Sequence, residues 1–167
     1  FSYLECMGAN VTYYIPERSE GYGLNADAVR ELAKRGVNLI ITVDNGISAI
    51  EESKLIYELG MHLVVTDHHQ PGDELPQAEA VVDPHRKDCP STFKYLCGAG
   101  VALKLVAALE IGYYETALNE YGEFAAMGTV ADVVSLTGEN RYIVSNGLRL
   151  LENSERPGVN ALIKKSG

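Results

Sequence analysis

The sequence predicts an α/β fold. It reads as a parallel, doubly wound sheet of about four to five strands flanked by helices, followed by a mostly helical C-terminal half. Three observations carry that prediction. Short β-branched runs alternate with segments of helical periodicity through the first half of the chain. Those runs are continuously apolar rather than alternating, which is the pattern of parallel strands covered on both faces. From Gly98 onward such runs cease and helical spacing takes over.

The elements follow in order. Residues 1–8 read as the end of a helix stopped at Gly8. Val11–Ile15 is β-branched and aromatic and is closed by Pro16, so it predicts a strand. Residues 17–23 make a polar, glycine-bearing loop. Asn25 caps a helix over Ala26–Arg35, with Gly36 as its stop. Leu39–Asp44 is the next strand. Ser48 caps a helix with Ile50, Leu55, Ile56 and Leu59 at helical spacing, ended by Gly60. Leu63–Thr66 is a strand and Ala80–Val82 a further short one. Pro71-Gly72 and Asp83-Pro84 mark loops, and residues 86–94 are polar loop. Helices are expected over Val101–Ile111, Tyr114–Met127, Arg141–Leu151 and Pro157–Lys164. No internal repeat appears, and no shift in composition marks a domain boundary. The chain reads as one domain over residues 1–152, with residues 153–167 beginning a connecting helix.

Composition narrows the function classes. With 167 residues and 46% hydrophobic content the chain can bury a proper core, and its formal net charge is −9. A domain that grips nucleic acid along its whole surface is usually basic. An acidic one can still process a phosphate backbone where divalent cations supply the positive charge. The three cysteines, Cys6, Cys89 and Cys97, form no CxxC pair, which argues against a disulfide framework and a structural zinc site. They read as reduced thiols of the cytoplasm. The apolar runs are far shorter than a membrane span, and the N-terminus lacks a signal-peptide pattern. The chain begins at Phe1 rather than Met and reads as a fragment.

Two strands end in residues that carry chemistry. Leu63-Val64-Val65-Thr66 runs directly into Asp67-His68-His69, and Leu39-Ile40-Ile41-Thr42-Val43 runs into Asp44-Asn45-Gly46. In open α/β sheets the carboxyl edge is where ligands bind. Carboxylate with imidazole suits manganese, magnesium or zinc. The competing readings are two solvent-facing histidines in a turn and an ordinary Asx turn. Asp132 is a lone acid in the apolar stretch Met127–Val134, where it must be exposed, paired or metal-bound; an acid turned to solvent at a helix end is the commoner arrangement. Arg18 follows Tyr13-Tyr14-Ile15-Pro16, and its planar fork suits a phosphate, although a surface arginine is the commoner reading. Gly98-Ala99-Gly100 opens a helix and suits either phosphate approach or close helix packing. GxGxxG and GxxxxGK[ST] are both absent. His62 is given no role, and His85 suits either a loop position near the same rim or, more commonly, a solvent-facing one.

Taken together these segments resemble RecJ-type exonucleases of the DHH phosphoesterase superfamily. The resemblance rests on Tyr13–Arg18 with Glu20–Asn25, on Ile41–Ser48, on Val65–His69, and on Gly128–Val134. Two connectors, Val82–Arg86 through Cys89-Pro90 and Gly98–Leu105, add to it. It implies a two-metal phosphodiesterase, usually manganese-dependent, with magnesium as the alternative ion. It further implies 5′-to-3′ digestion of single-stranded DNA in repair and recombination, with DNA-repair proteins as partners. By that resemblance Asp44 bridges both ions, and His68 with Asp132 completes the second ion's ligands. His69 contacts the scissile phosphate, Asp67 orients the imidazoles and Arg18 holds a substrate phosphate. The family's first motif, an Asp-x-Asp pair on a strand, is expected just upstream of Phe1. This chain alone is therefore expected to be metal-poor and inactive or nearly so, within an active parent protein. Two other readings stay open. One is a DHH-family phosphodiesterase of short oligonucleotides, cyclic dinucleotides or pyrophosphate. The other is a binding module that kept the fold without catalysis.

Overall fold

Two runs of β-branched residues, Leu39–Val43 (β1) and His62–Thr66 (β2), pair in parallel with Leu39 opposite His62 and Val43 opposite Thr66. Ala80–Val82 (β3) adds to the other side of β2, so among the described residues the sheet has three parallel strands in the order β1-β2-β3. The structure is a computed structural model that describes residues 1–17 and 21–166. It divides into two compact units, Phe1–Pro90 and Ser91–Gly167.

In the first unit a short helix, Ser2–Cys6 (α1), precedes Ala26–Lys34 (α2) and Ile50–Glu58 (α3). The Asn25 side chain caps α2 by accepting from the Ala28 amide at 2.8 Å, and Gly36 follows the helix in the left-handed region at φ 76°. Val29 and Leu32 lie three apart on one face of α2 and pack with Ile56, Leu63 and Val65 into one apolar core. The crossover through α3 is what lets β1 and β2 run parallel. It brings both strand ends to one rim.

The second unit is helical: Gly98–Leu109 (α4), Tyr114–Ala131 (α5), Gly138–Leu151 (α6) and Pro157–Ser166 (α7). Its core joins Val101, Leu103, Leu118, Ala125, Ile143 and others. Small residues set how closely the helices approach. A Cβ on Gly147 of α6 would lie 2.2 Å from the Ala126 Cβ of α5, and one on Gly128 would lie 2.6 Å from the Ala99 Cβ of α4. The Gly98-Ala99-Gly100 start of α4 therefore serves close packing. Ahead of α7, Arg156 donates to the Glu123 carboxylate at 2.6 Å and to Glu120 at 3.0 Å, satisfying the buried acid.

Three expectations are corrected. Val11–Ile15 is not a strand: it takes no regular structure, and Tyr13 and Ile15 are exposed. β propensity expresses a fit to a pleated, half-buried surface, and here no strand pairs with this run among the described residues. The sheet consequently has fewer strands than expected. Ser48 does not cap α3, whose N-cap is Ala49 without a side-chain bond. The helices α4 and α6 begin about one turn earlier than periodicity indicated, because their first turns are glycine-bearing and lack an apolar signal.

Gly147→Ala forces the α5 and α6 backbones apart and is expected to destabilise the chain by about 1–3 kcal/mol. Gly158→Ala in α7, where a Cβ meets nothing within 4 Å, is the control and is expected to be neutral or slightly stabilising. Helical circular dichroism followed through urea unfolding measures both. Equal behaviour of the two variants would show that the α5–α6 crossing is not limited by that glycine.

Candidate metal centre

The rim is built from the residue that follows each strand. The β1–β2 ladder continues one step, with the Asp44 amide donating to the Thr66 carbonyl at 3.0 Å. The Asp67 amide likewise donates to the Val82 carbonyl at 3.0 Å. Asp44, Asp67 and Asp83 thus stand side by side at the carboxyl ends of β1, β2 and β3.

Asp67 is buried and collects four donors. Its Oδ2 accepts from the Ile47 amide at 2.9 Å. Its Oδ1 accepts from the His68 amide at 2.7 Å, the His69 amide at 3.3 Å and His69 Nδ1 at 2.7 Å. Burial opposes its charge. The donors from Ile47, His69 and His68 overcome that opposition and hold the carboxyl below the ordinary carboxylate range. The carboxylate closes both rim turns at once, and it sets His69 with Nδ1 protonated and Nε2 facing outward.

Asp44 adopts φ 67°, an uncommon conformation that aspartate tolerates better than most residues. That turn sends its side chain toward the next strand end, where His68 Nε2 lies 2.9 Å from Asp44 Oδ1. Gly46 sits at φ 106°, and a Cβ there would lie 2.6 Å from Thr42 Oγ1, so the turn requires glycine. Tyr22 donates its hydroxyl to the Asp44 carbonyl at 2.8 Å and lies 3.4 Å from His69 Nε2. The ligand-type atoms of Asp44, His68 and His69 all fall within 4.8 Å of one another. Ligand atoms on one cation with bonds of roughly 2.0–2.2 Å lie no more than about 4.4 Å apart, so a small closure of these side chains brings all three to one ion. One carboxylate and two imidazoles form a donor set that transition-metal dications accept.

Asp44, Asp67, His68 and His69 are thus brought together. Asp132 lies in the second unit, at the C-cap of α5 and exposed, followed by Val133 at φ 57°. Arg18 lies outside the described residues. Two rim residues were missed by sequence reasoning, Tyr22 and Asp83; His85, next to Asp83, had been weighed there as a loop histidine near the rim. A third strand ending in aspartate was the available signal for Asp83. Its side chain has no solvent exposure, and the His85 amide donates to Oδ1 at 2.7 Å. Asp83 Oδ2 and His85 Nδ1 are both buried without a hydrogen-bond partner among the described residues. Burial pushes the Asp83 carboxyl up; the His85 amide works against this, and the nearby Asp67 charge adds to it.

A carboxyl whose folded pKa exceeds its unfolded one favours folding only when protonated. Its contribution is gained as pH falls through the folded pKa, and ionisation costs stability above it. The unfolding free energy of the natural chain minus that of Asp83→Asn is therefore expected to rise as pH is lowered from 7 toward 4. Urea titrations across that range measure it; a flat or opposite trend would show that Asp83 ionises like an exposed acid.

Comparison with known proteins matches the rim and the chain around it. Residues 1–129 match the model of the DHH family, N-terminal domain. The single-stranded-DNA-specific exonuclease RecJ of Bacillus subtilis is 47% identical over 98% of this chain and 20% of its own length. RecJ of Escherichia coli is 41% identical over 93% of this chain and 29% of its length. A crystal structure of exonuclease RecJ bound to manganese superposes with a TM-score of 0.88 at 36% identity, covering 99% of this chain and 42% of that one. RecJ from Thermus thermophilus, in complex with Mn2+, gives 0.82 at 34% identity, covering 99% of this chain and 24% of that one. The chain thus spans between a fifth and three tenths of the length of these curated relatives. With the family model matched across both strand-end motifs, this chain belongs to the DHH family.

Proposed function

We propose that this chain is the metal-binding part of an exonuclease that hydrolyses phosphodiester bonds of single-stranded DNA in the 5′-to-3′ direction. The observation that carries the reading is the cluster at the sheet rim: Asp44 and His68 in contact at 2.9 Å, with His69 alongside and Asp67 beneath. Its donor set fits a divalent cation, and the relatives' manganese makes Mn2+ the first choice and Mg2+ the second. Such a cation supplies positive charge against a phosphate and makes water acidic enough to act as a nucleophile near neutral pH.

The chain's own residues divide the remaining work. Asp44 Oδ1 and His68 Nε2 hold the cation. By the family resemblance Asp132 would complete its ligands, and Asp44 would also serve a second ion. Asp67 accepts the Nδ1 proton of His69 and so fixes the ring, leaving Nε2 to face the scissile phosphate. Arg18 holds a substrate phosphate through its guanidinium. With a net charge of −9, the chain leaves long-range grip on DNA to other parts of the protein. We assign the protein to DNA repair and recombination, with repair proteins as partners. The three free cysteines suit the reducing cytoplasm, and no described helix is long and apolar enough to cross a membrane.

The test is manganese-dependent digestion of 5′-labelled single-stranded DNA by this chain and by a protein of the relatives' length that contains it. The longer protein is expected to release nucleotides from the 5′ end and to stop on chelation. Asp44→Ala abolishes activity. Asp67→Asn, which removes the anionic acceptor for His69, lowers it by about 10–100-fold. Digestion that continues in Asp44→Ala would remove that residue from the metal set. Cleavage of dinucleotides but not of long strands would assign the protein to the small-substrate branch.

A further inference from the structure

Asp83-Pro84-His85 repeats after β3 the Asp-x-His spacing of Asp67-His68-His69 after β2. The two segments also share a geometry. Each aspartate uses Oδ1 to accept the amide of the histidine two residues on, at 3.3 Å for His69 and 2.7 Å for His85. The same oxygen faces that histidine's Nδ1, at 2.7 Å for His69 and 3.8 Å for His85. The second pair is therefore one small ring movement short of the arrangement that the first already has. Asp67 is committed to His69 and to three amides, so it does not compete for the second ring.

The second pair is assembled but unsatisfied. The Asp83 side chain has no solvent exposure, and neither its Oδ2 nor the buried His85 Nδ1 has a partner among the described residues. Unpaired buried polar atoms are costly. The His85 side chain keeps 23% exposure, so the ring's opposite edge, which carries Nε2, is the one open to solvent. A ring with a proton on each nitrogen donates on both sides, from Nδ1 inward to Asp83 and from Nε2 outward to an acceptor. An anion at the outer nitrogen favours that form, and the form supplies the buried carboxyl with a cationic donor.

The loop around His85 selects an anion. His85-Arg86-Lys87 is a run of three basic side chains in a chain of net charge −9. Arg86 is spent on the loop itself, forking onto Asp88 at 3.0 and 2.6 Å and reaching the Val81 carbonyl. Lys87 is exposed and has no ion pair among the described residues. Val82 pairs with Thr66 across strands roughly 4.8 Å apart, so the loops that carry His69 and His85 leave from neighbouring points of one rim.

We propose that His85, anchored on Asp83 and flanked by Lys87, is a second phosphate contact. It receives the backbone phosphate next inward along the strand from the one that His69 faces. The inference rests on the phosphodiesterase reading of the rim and adds to it a determinant of substrate length. A strand of three or more nucleotides offers such a phosphate, and a dinucleotide does not.

Two experiments test it, with outcomes that separate it from the exonuclease reading. In the first, the protein of the relatives' length digests two 5′-labelled oligonucleotides that differ at the second linkage, a phosphate in one and an uncharged methylphosphonate in the other. Release of the first nucleotide from the methylphosphonate strand is expected to be about tenfold lower in kcat/KM. His85→Ala is expected to lose a similar factor on the natural strand and to stop distinguishing the two. Equal turnover of both strands by the natural protein, or undiminished discrimination in His85→Ala, overturns the proposal. In the second, inorganic phosphate is titrated into this chain carrying 15N-labelled histidine, with sodium chloride at matched ionic strength as the reference. The His85 signals are expected to move toward those of a ring protonated at both nitrogens, and Asp83→Asn is expected to reduce that movement. His85 signals that respond no more to phosphate than to chloride overturn the subsite. If phosphate moves His85 while neither strand is digested, the exonuclease reading fails and the subsite stands.

Discussion

The buried carboxylate of Asp67 is the constraint on which the rest of the rim depends. One side chain accepts from the Ile47 amide on the β1 side and from the His68 and His69 amides on its own side. The two turns that present the site are therefore joined through a single anion. A buried anion is costly unless its lone pairs are filled. Four donors fill these, and the same bonds that make the charge tolerable also orient the His69 ring. Stability and site geometry have one origin here.

The neighbouring rim position shows what happens when that supply of donors is missing. Asp83 ends β3 as Asp67 ends β2, and it is equally buried, but among the described residues it has one amide donor and an unpartnered second oxygen. Its carboxyl is pushed up where that of Asp67 is pushed down. Adjacent carboxyls driven apart in this way give one rim both an anionic acceptor and an acid that resists ionisation. The rim also carries a strained backbone position at Asp44, with φ 67°, next to the glycine-dependent turn at Gly46. The strand must stop abruptly there for its carboxylate to face the adjacent strand end rather than continue along the ladder.

Much of this was legible in the residues. The α2 helix with its Asn25 cap, the two principal strands and the short third one follow from local patterns: a polar N-cap, a glycine stop, β-branched runs. Asp44, Asp67 and His68 could be named because a strand's end is visible in sequence and parallel strands share a carboxyl edge. What was not legible concerns partners. Val11–Ile15 has the composition of a strand and is not one, since a strand exists only through its neighbour. Tyr22 sits in a polar loop with no periodicity to mark it, and only folding carries its hydroxyl to Asp44 across 22 residues of sequence.

The sequence by itself determined the fold class, the element types and the chemical inventory of the rim, because those depend on residues close together in the chain. Tertiary structure decided which carboxylate is a charged organiser and which is a suppressed acid. It also placed His68 and the Tyr22 hydroxyl against Asp44. Those outcomes depend on burial and on donors contributed by distant residues, and neither quantity exists until the chain has folded.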